Sequence, residues 1–448
     1  MKKLSRTTFL VVILALMITL TSCLRDVDTP PTVDRTNTSE TDIFTDMSAQ
    51  TESMSTETEY VPPDVQLSEE AMMWTDKHPE ADTVIMTPEQ IESDNLRMLG
   101  ESASLTDITN VTNNYTGAEL IAQIGDDRKP TLPAYDHDGT EITYEHYNTV
   151  IANMGLDSIA EDNPVKLGIV VSRANLRCIP DDKPYLGSPD SLYDMVQQTE
   201  LHVGVPVWVL HQSVDGEYFY VKSPSYAGWV KSCDIAITDN SDAWSEFATP
   251  KSFVVVTETS VFINESELDM GVKLPMVAYD NGIYTVKLPE MDENGVLTYT
   301  ETDIPAHYVS EGYLPYTYRN FVTQAFKYEG VMYSWGGLDS GVDCSSFVSN
   351  VMRTFGFVLP RDTKDQESVV GATIDVIGKS HSEVAAIIED ITAPTAVYYK
   401  GHVLFYLGHN GAGEYSFIHA PQIGEAVSIE RKRDLSGLRY ICPFAKSE

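Results

Sequence analysis

The chain has 448 residues, too many for one hydrophobic core, so several domains are expected. Its hydrophobic fraction of 42% is ordinary for folded protein. With 67 acidic and 30 basic residues the formal net charge is -37, a balance that repels phosphates and argues against nucleic acid as a partner.

In chain order, Lys2, Lys3 and Arg6 precede an apolar run from Phe9 to Leu20 that is short for a membrane span. The run ends at LTSC, a small-residue cleavage site whose last residue is Cys23. This resembles a bacterial lipoprotein signal. The resemblance implies removal of residues 1–22, a diacylglyceryl group on Cys23 and an extracytoplasmic, lipid-anchored place in the cell envelope. Residues 23–66 are rich in Thr, Ser, Asp and Glu with no periodic apolar face, the composition of a disordered tether. If Cys23 carries lipid and Cys344 is catalytic, Cys178, Cys233 and Cys442 remain, an odd number that excludes a complete disulfide framework. Cys178 and Cys233 either pair across one small domain or stay as buried thiols.

Residues 67–165 read as a small, mainly helical segment. Thr87 before Pro88 marks a helix start, and Ile91, Leu96 and Leu99 supply its apolar positions. Asp136, Asp138 and Gly139 lack the later acidic ligand of a calcium loop, so a turn is expected there. Residues 166–250 and 251–312 show short alternating strands with turn signals, such as PVWVLHQ, Asp215-Gly216 and EYFYVKS in the first. The first unit is similar to the bacterial SH3-like domain found ahead of certain cell-wall peptidases, and the second is a weaker copy. Two SH3-like β-barrels are therefore expected.

The stretch carrying chemistry lies in residues 313–448. After Cys344, apolar residues fall at Phe347, Val348, Val351, Met352 and Phe355, one face of a helix that ends at Gly356. Cys344 thus sits at a helix N-terminus, where the macrodipole and open N–H groups favour the thiolate. His402 opens an alternating strand, and a second strand returns through EYSFIHA to His419. Taking Gly408–Gly413 as the turn, His402 stands directly opposite His419 on one sheet face. One imidazole then takes the thiol proton and the other orients it.

The blocks YSWGG, DCSSFV, LPRDTKDQ, GHVLFYLG and FIHA resemble the NlpC-type family of papain-like cell-wall cysteine peptidases across residues 315–445. The resemblance implies an α+β papain-like domain with Cys344 as nucleophile, His402 as base and acid, and His419 as third member, with no metal or cofactor. The spacing between the histidines exceeds the family pattern, and TAPTAVYYKG replaces its acidic strand. The subgroup with SH3-like domains implies hydrolysis of the γ-D-glutamyl-L-diamino acid bond in peptidoglycan stem peptides bearing a free N-terminal L-Ala. It further implies that Asp362 and Ser345 bind the substrate amine, that Tyr226 of the first barrel narrows the site, and that Tyr333 and Trp335 form its walls. Asp362 also suits a helix cap, and Tyr226 ordinary barrel packing. Two other functions fit the same residues: a non-catalytic wall-binding lipoprotein, or a papain-like amidase or acyltransferase on another substrate.

Overall fold

A computed structural model describes residues 68–126, 129–410 and 412–445. The signal, Cys23 and the whole of the expected tether lie outside the described residues. The elements begin with α1 (Glu69–Lys77), β1 (Val84–Met86), α2 (Pro88–Glu101), β2 (Asn114–Thr116), α3 (Gly117–Asp126), α4 (Tyr144–Asn153) and β3 (Asp162–Pro164). The first barrel holds β4 (Lys166–Val170), β5 (Ala174–Arg177), β6 (Gln197–Leu201), β7 (Pro206–Gln212), β8 (Tyr218–Lys222), β9 (Ala227–Lys231) and β10 (Ile235–Thr238). After α5 (Ser241–Ala248) come β11 (Phe253–Val256), β12 (Ser260–Ile263), β13 (Ser266–Asp269), β14 (Lys273–Asp280), β15 (Ile283–Met291), β16 (Leu297–Pro305) and β17 (Val309–Glu311). The C-terminal domain runs β18 (Tyr316–Thr317), α6 (Tyr318–Lys327), α7 (Cys344–Arg353), α8 (Thr363–Val369), β19 (Ile374–Asp375) and α9 (His381–Ile388). It closes with β20 (Thr395–Tyr399), β21 (His402–His409), β22 (Tyr415–His419), β23 (Ser428–Lys432) and β24 (Tyr440–Pro443).

The first barrel is one antiparallel sheet ordered β10-β4-β7-β8-β9-β5-β6, and its last strand, β6, faces the C-terminal domain. The second orders β16-β15-β14-β11-β17 and adds the β12-β13 hairpin. In the C-terminal domain the sheet β19-β24-β20-β21-β22-β23 separates two cores. Val403, Phe405 and Leu407 of β21 enter the core that contains α7, while Leu404 and Tyr406 enter the other. The α+β C-terminal domain and the antiparallel barrel of residues 166–250 are the architecture expected from the sequence, and residues 251–312 form a second all-β unit.

The mainly helical segment has no core of its own. Ala71, Trp74, Ile91, Met98 and Leu105 join the core of the C-terminal domain, whereas Leu120, Ile124, Val150 and Met154 join that of the first barrel. Thr87 caps α2 in a capping box with Gln90, and Pro88 opens the helix. The expected apolar face is corrected in detail: Leu96 is exposed. The inward face instead repeats as Ile91, Asn95 and Met98, following the helical period. Asn95 donates to the Gly356 carbonyl at 2.8 Å and accepts from the Val358 amide at 2.9 Å, so α2 grips the turn that follows α7. At Asp136–Thr140 the chain makes a turn, with Gly139 at φ 78° and Asp136 paired to Lys183 at 2.7 Å.

Trp74 is the anchor of the N-terminal strap, and it lies across Gly408, where any Cβ would come 2.8 Å from its ring. Truncating a buried aromatic leaves a cavity. Trp74→Ala is therefore expected to lower stability by about 3 kcal/mol in urea unfolding followed by near-ultraviolet circular dichroism. A change below about 0.5 kcal/mol would show that the strap is not part of the core.

Candidate active site

Asp343 caps α7, its Oδ1 accepting the amides of Ser345 at 3.1 Å and Ser346 at 2.9 Å. The Ser346 hydroxyl returns a bond from the Asp343 amide at 2.9 Å, completing a capping box. Phe347, Val348, Val351, Met352 and Phe355 are buried, and Gly356 ends the helix at φ 95°. Cys344 is thereby fixed in the first turn, 7% exposed. Its sulfur lies 3.6 Å from the Thr363 hydroxyl and receives the Val403 amide, next in sequence to His402. His402 is not among its hydrogen-bond partners.

The two histidines meet: His402 Nε2 and His419 Nδ1 are 2.8 Å apart. The register expected for their hairpin is corrected by two residues. Phe405 pairs with Ile418 and Tyr406 with Phe417, and a bulge follows before Gly408. His402 therefore stands diagonal to His419 rather than opposite it. A shift of two preserves the face because side chains alternate, so the imidazoles still converge. Gly408 is a strand residue kept small for Trp74, and the chain reverses beyond His409, where the Gly413 amide donates to the Asn410 carbonyl at 3.2 Å. Glu430 of β23 places Oε2 3.6 Å from His419 Nε2 and 2.7 Å from the Lys432 ammonium. The chain of contacts fits a His402 Nε2–H donating to His419, which leaves Nδ1 of His402 unprotonated and able to accept a proton.

Electrostatics set a neutral resting pair. Burial, then the Asp343 carboxylate, pushes the Cys344 thiol up to about 11. Burial, then His419, pushes His402 down to about 4. Burial also lowers His419, to about 4, against the pull of Glu430. The helix start thus does not by itself produce the thiolate expected from the sequence, because the same buried position carries the capping carboxylate one residue away. Burial and the neighbouring Asp343 and Cys344 hold the Tyr333 phenol well above its ordinary value, so it remains an O–H donor.

The other candidate residues divide. Ser345 turns inward: its hydroxyl donates to Asp343 at 3.1 Å and accepts from Arg361 at 2.9 Å. Asp362 occupies the cap position of α8 but makes no cap hydrogen bond, and its partner is the exposed Lys364 ammonium at 3.8 Å. Burial pushes its carboxyl up. Trp335 donates to the Asp194 carbonyl at 3.1 Å and meets the Tyr193 ring edge-on at 5.3 Å. Tyr226 is partly buried against the first barrel's core and donates to Gln198 at 2.9 Å. The barrel tyrosine beside Trp335 and Tyr333 is Tyr193, which belongs to an irregular segment without a motif. Sequence reasoning also missed Thr363 and Arg361, although both stand inside the RDT block, and Glu200, which has no local signal.

Cys178, Cys233, Cys344 and Cys442 are all reduced thiols, and the described residues hold no cluster of metal-ligating side chains. A helix-borne cysteine over a sheet that carries two joined histidines is the arrangement of a thiol hydrolase. Residues 330–437 match the NlpC/P60 family, and residues 184–231 match the SH3 domain of the SH3b1 type. The C-terminal domain belongs to the NlpC/P60 family. NlpC/P60 proteins are peptidases, so the chain carries a hydrolase domain behind its SH3-like barrel. Two similar proteins are called gamma-D-glutamyl-L-lysine dipeptidyl-peptidase. The Bacillus cereus protein is 25% identical over 293 residues, covering 61% of this chain and 79% of its own. That of Bacillus subtilis is 24% identical over 260 residues, covering 53% and 76%. An NlpC/P60 endopeptidase from Photobacterium damselae subsp. piscicida shares the fold with a TM-score of 0.66 and 20% identity, over 83% of this chain and 91% of that one.

A raised thiol loses its proton only at high pH, so little thiolate exists at pH 7. The rate of Cys344 alkylation by iodoacetamide is expected to keep climbing from pH 7 through pH 9 and beyond. A plateau already reached below about pH 8, the signature of a preformed thiolate, would contradict this electrostatic picture.

Proposed function

We propose that the NlpC/P60 domain is a cysteine endopeptidase cutting the γ-D-glutamyl-L-diamino acid bond of peptidoglycan stem peptides that bear a free N-terminal L-Ala. The observation carrying this reading is Cys344 in the first turn of a buried helix, beside the Val403 amide and next to the joined His402–His419 pair. The names of the two Bacillus relatives support the bond. Asp362 supports the free amine, since its carboxylate is half-buried and unused as a cap. Tyr193 and β6 of the first barrel stand against one side of the site and suit a short substrate.

On substrate binding, His402 closes on the thiol and removes its proton as the sulfur attacks the γ-carbonyl carbon of D-Glu. The amides of Ser345 and Ser346 are already consumed by Asp343. The Cys344 N–H and the Tyr333 hydroxyl are the donors left for the oxyanion. Collapse breaks the C–N bond, and the His402 proton leaves with the diamino-acid nitrogen. Water, deprotonated by His402, then hydrolyses the thioester and returns the thiol. His419 holds the His402 ring throughout.

The same reading places the protein outside the cytoplasm, with lipid on Cys23 anchoring it to a membrane within reach of muropeptides. The basic start, the short apolar run and LTSC support this.

Purified soluble protein lacking residues 1–66 is expected to release L-Ala-D-Glu from L-Ala-γ-D-Glu-diaminopimelate or its lysine counterpart, read by mass spectrometry. Cys344→Ala should lose at least about a thousandfold in rate, as removal of a nucleophile does. Asp362→Asn should raise KM about tenfold with kcat little changed, since the amine contact is equal in ground and transition states. Intact peptides after incubation with folded wild type would overturn the proposal.

A further inference from the structure

We propose that Arg361 is a positioning residue for Cys344 and that the first SH3-like barrel holds it there, so that Thr199 and Glu200 of β6 help to aim the thiol. The inference rests on Cys344 being the nucleophile, as proposed above. Arg361 is 7% exposed, and each of its five N–H donors has an acceptor. Three stay within the C-terminal domain: one from each terminal nitrogen to Asp343, at 3.1 and 2.6 Å, and one to Ser345 at 2.9 Å. Two cross to the barrel: Nε to the Thr199 hydroxyl at 2.6 Å, and a terminal nitrogen to Glu200 Oε2 at 3.5 Å.

The consequence for the nucleophile follows through Asp343. That carboxylate caps the first turn of α7, and its Oδ2 also accepts the Gly336 amide at 3.2 Å. A fork that grips both oxygens fixes the plane of the cap, and with it the backbone that carries Cys344. The Arg361 charge also opposes the influence of Asp343 on the thiol. The guanidinium is in turn held from the far side. The Thr199 hydroxyl donates toward Glu200, 3.1 Å from its carbonyl and 3.2 Å from Oε2, and His202 backs the Glu200 carboxylate at 3.7 Å.

The approach of β6 is built into the sequence. Gly336 and Gly337 have φ of 61° and 72°, and a Cβ on Gly337 would lie 2.1 Å from Glu200 Oε2. Gln197 donates to the Gly336 carbonyl at 3.0 Å, and Arg173 to that of Gly337 at 2.6 Å. The barrel is thus joined to the turn between Trp335 and Ser340 through both backbone and side chains.

The test compares wild type, Thr199→Val and Arg361→Lys in the soluble protein lacking residues 1–66, each checked by near-ultraviolet circular dichroism. Thr199→Val is isosteric, keeps every charge and lies in the other domain. It is expected to lower kcat about tenfold with KM within twofold, and to change the rate of Cys344 alkylation by iodoacetamide at pH 8.5 at least threefold. Arg361→Lys keeps the charge but loses the fork and should fall at least as far. The double variant should fall no further than Arg361→Lys alone, because both act through one contact. A folded Thr199→Val with wild-type kcat and alkylation rate would overturn the proposal, as would a rise in KM alone. Alkylation needs no substrate, so failure of wild type to cleave the peptide overturns the bond assignment, while unchanged alkylation in Thr199→Val overturns the positioning role.

Discussion

The bidentate pair between Arg361 and Asp343 is the constraint on which the site depends. Two charges taken out of water are expensive unless geometry and further hydrogen bonds compensate them. Here every donor of the guanidinium is used, and Asp343 accepts three backbone amides besides. Burial raises the carboxyl, yet Arg361 and the Ser346 amide outweigh it and the net shift is downward, so the pair is held ionised. Removing one partner would strand a buried charge, a loss of about 3–5 kcal/mol. This is why the helix bearing the candidate nucleophile and the strand of a neighbouring domain form one unit.

The capping carboxylate has an opposing effect on chemistry. It fixes the cysteine but raises its thiol, and it consumes two amides that a helix start otherwise offers to an anion. The histidines answer from the sheet. Half-buried and buried respectively, and joined to each other, His402 and His419 stay neutral and able to accept a proton. The thiol and both imidazoles are accordingly neutral near pH 7, and no ion pair between them is formed in advance.

Much of this could be read from particular residues. The spacing from Phe347 to Phe355 gave the helix under Cys344, and alternation after His402 gave the strand, because both depend on local period alone. The face shared by the two histidines was also legible, since a two-residue slip leaves it unchanged. The register itself was not: Gly408 looks like a turn residue, and its real reason is Trp74, more than three hundred positions away. For the same reason Tyr193 and Glu200 escaped notice. Their roles arise from the docking of one domain on another, which leaves no periodic trace. Asn95 in place of Leu96 is the smaller version of this, a polar residue turned inward because a distant turn needs its amide.

The account stands most directly on the thioester at Cys344. Rapid mixing of the soluble protein with L-Ala-γ-D-Glu-diaminopimelate or its lysine counterpart, acid quenching and intact-mass analysis would read it. The account predicts a burst of free diamino acid, at most one per enzyme, with the missing dipeptide carried as an acyl group that maps to Cys344. Product formation with neither burst nor acylated Cys344 at any quench time, or with an acyl group on another residue, would contradict it.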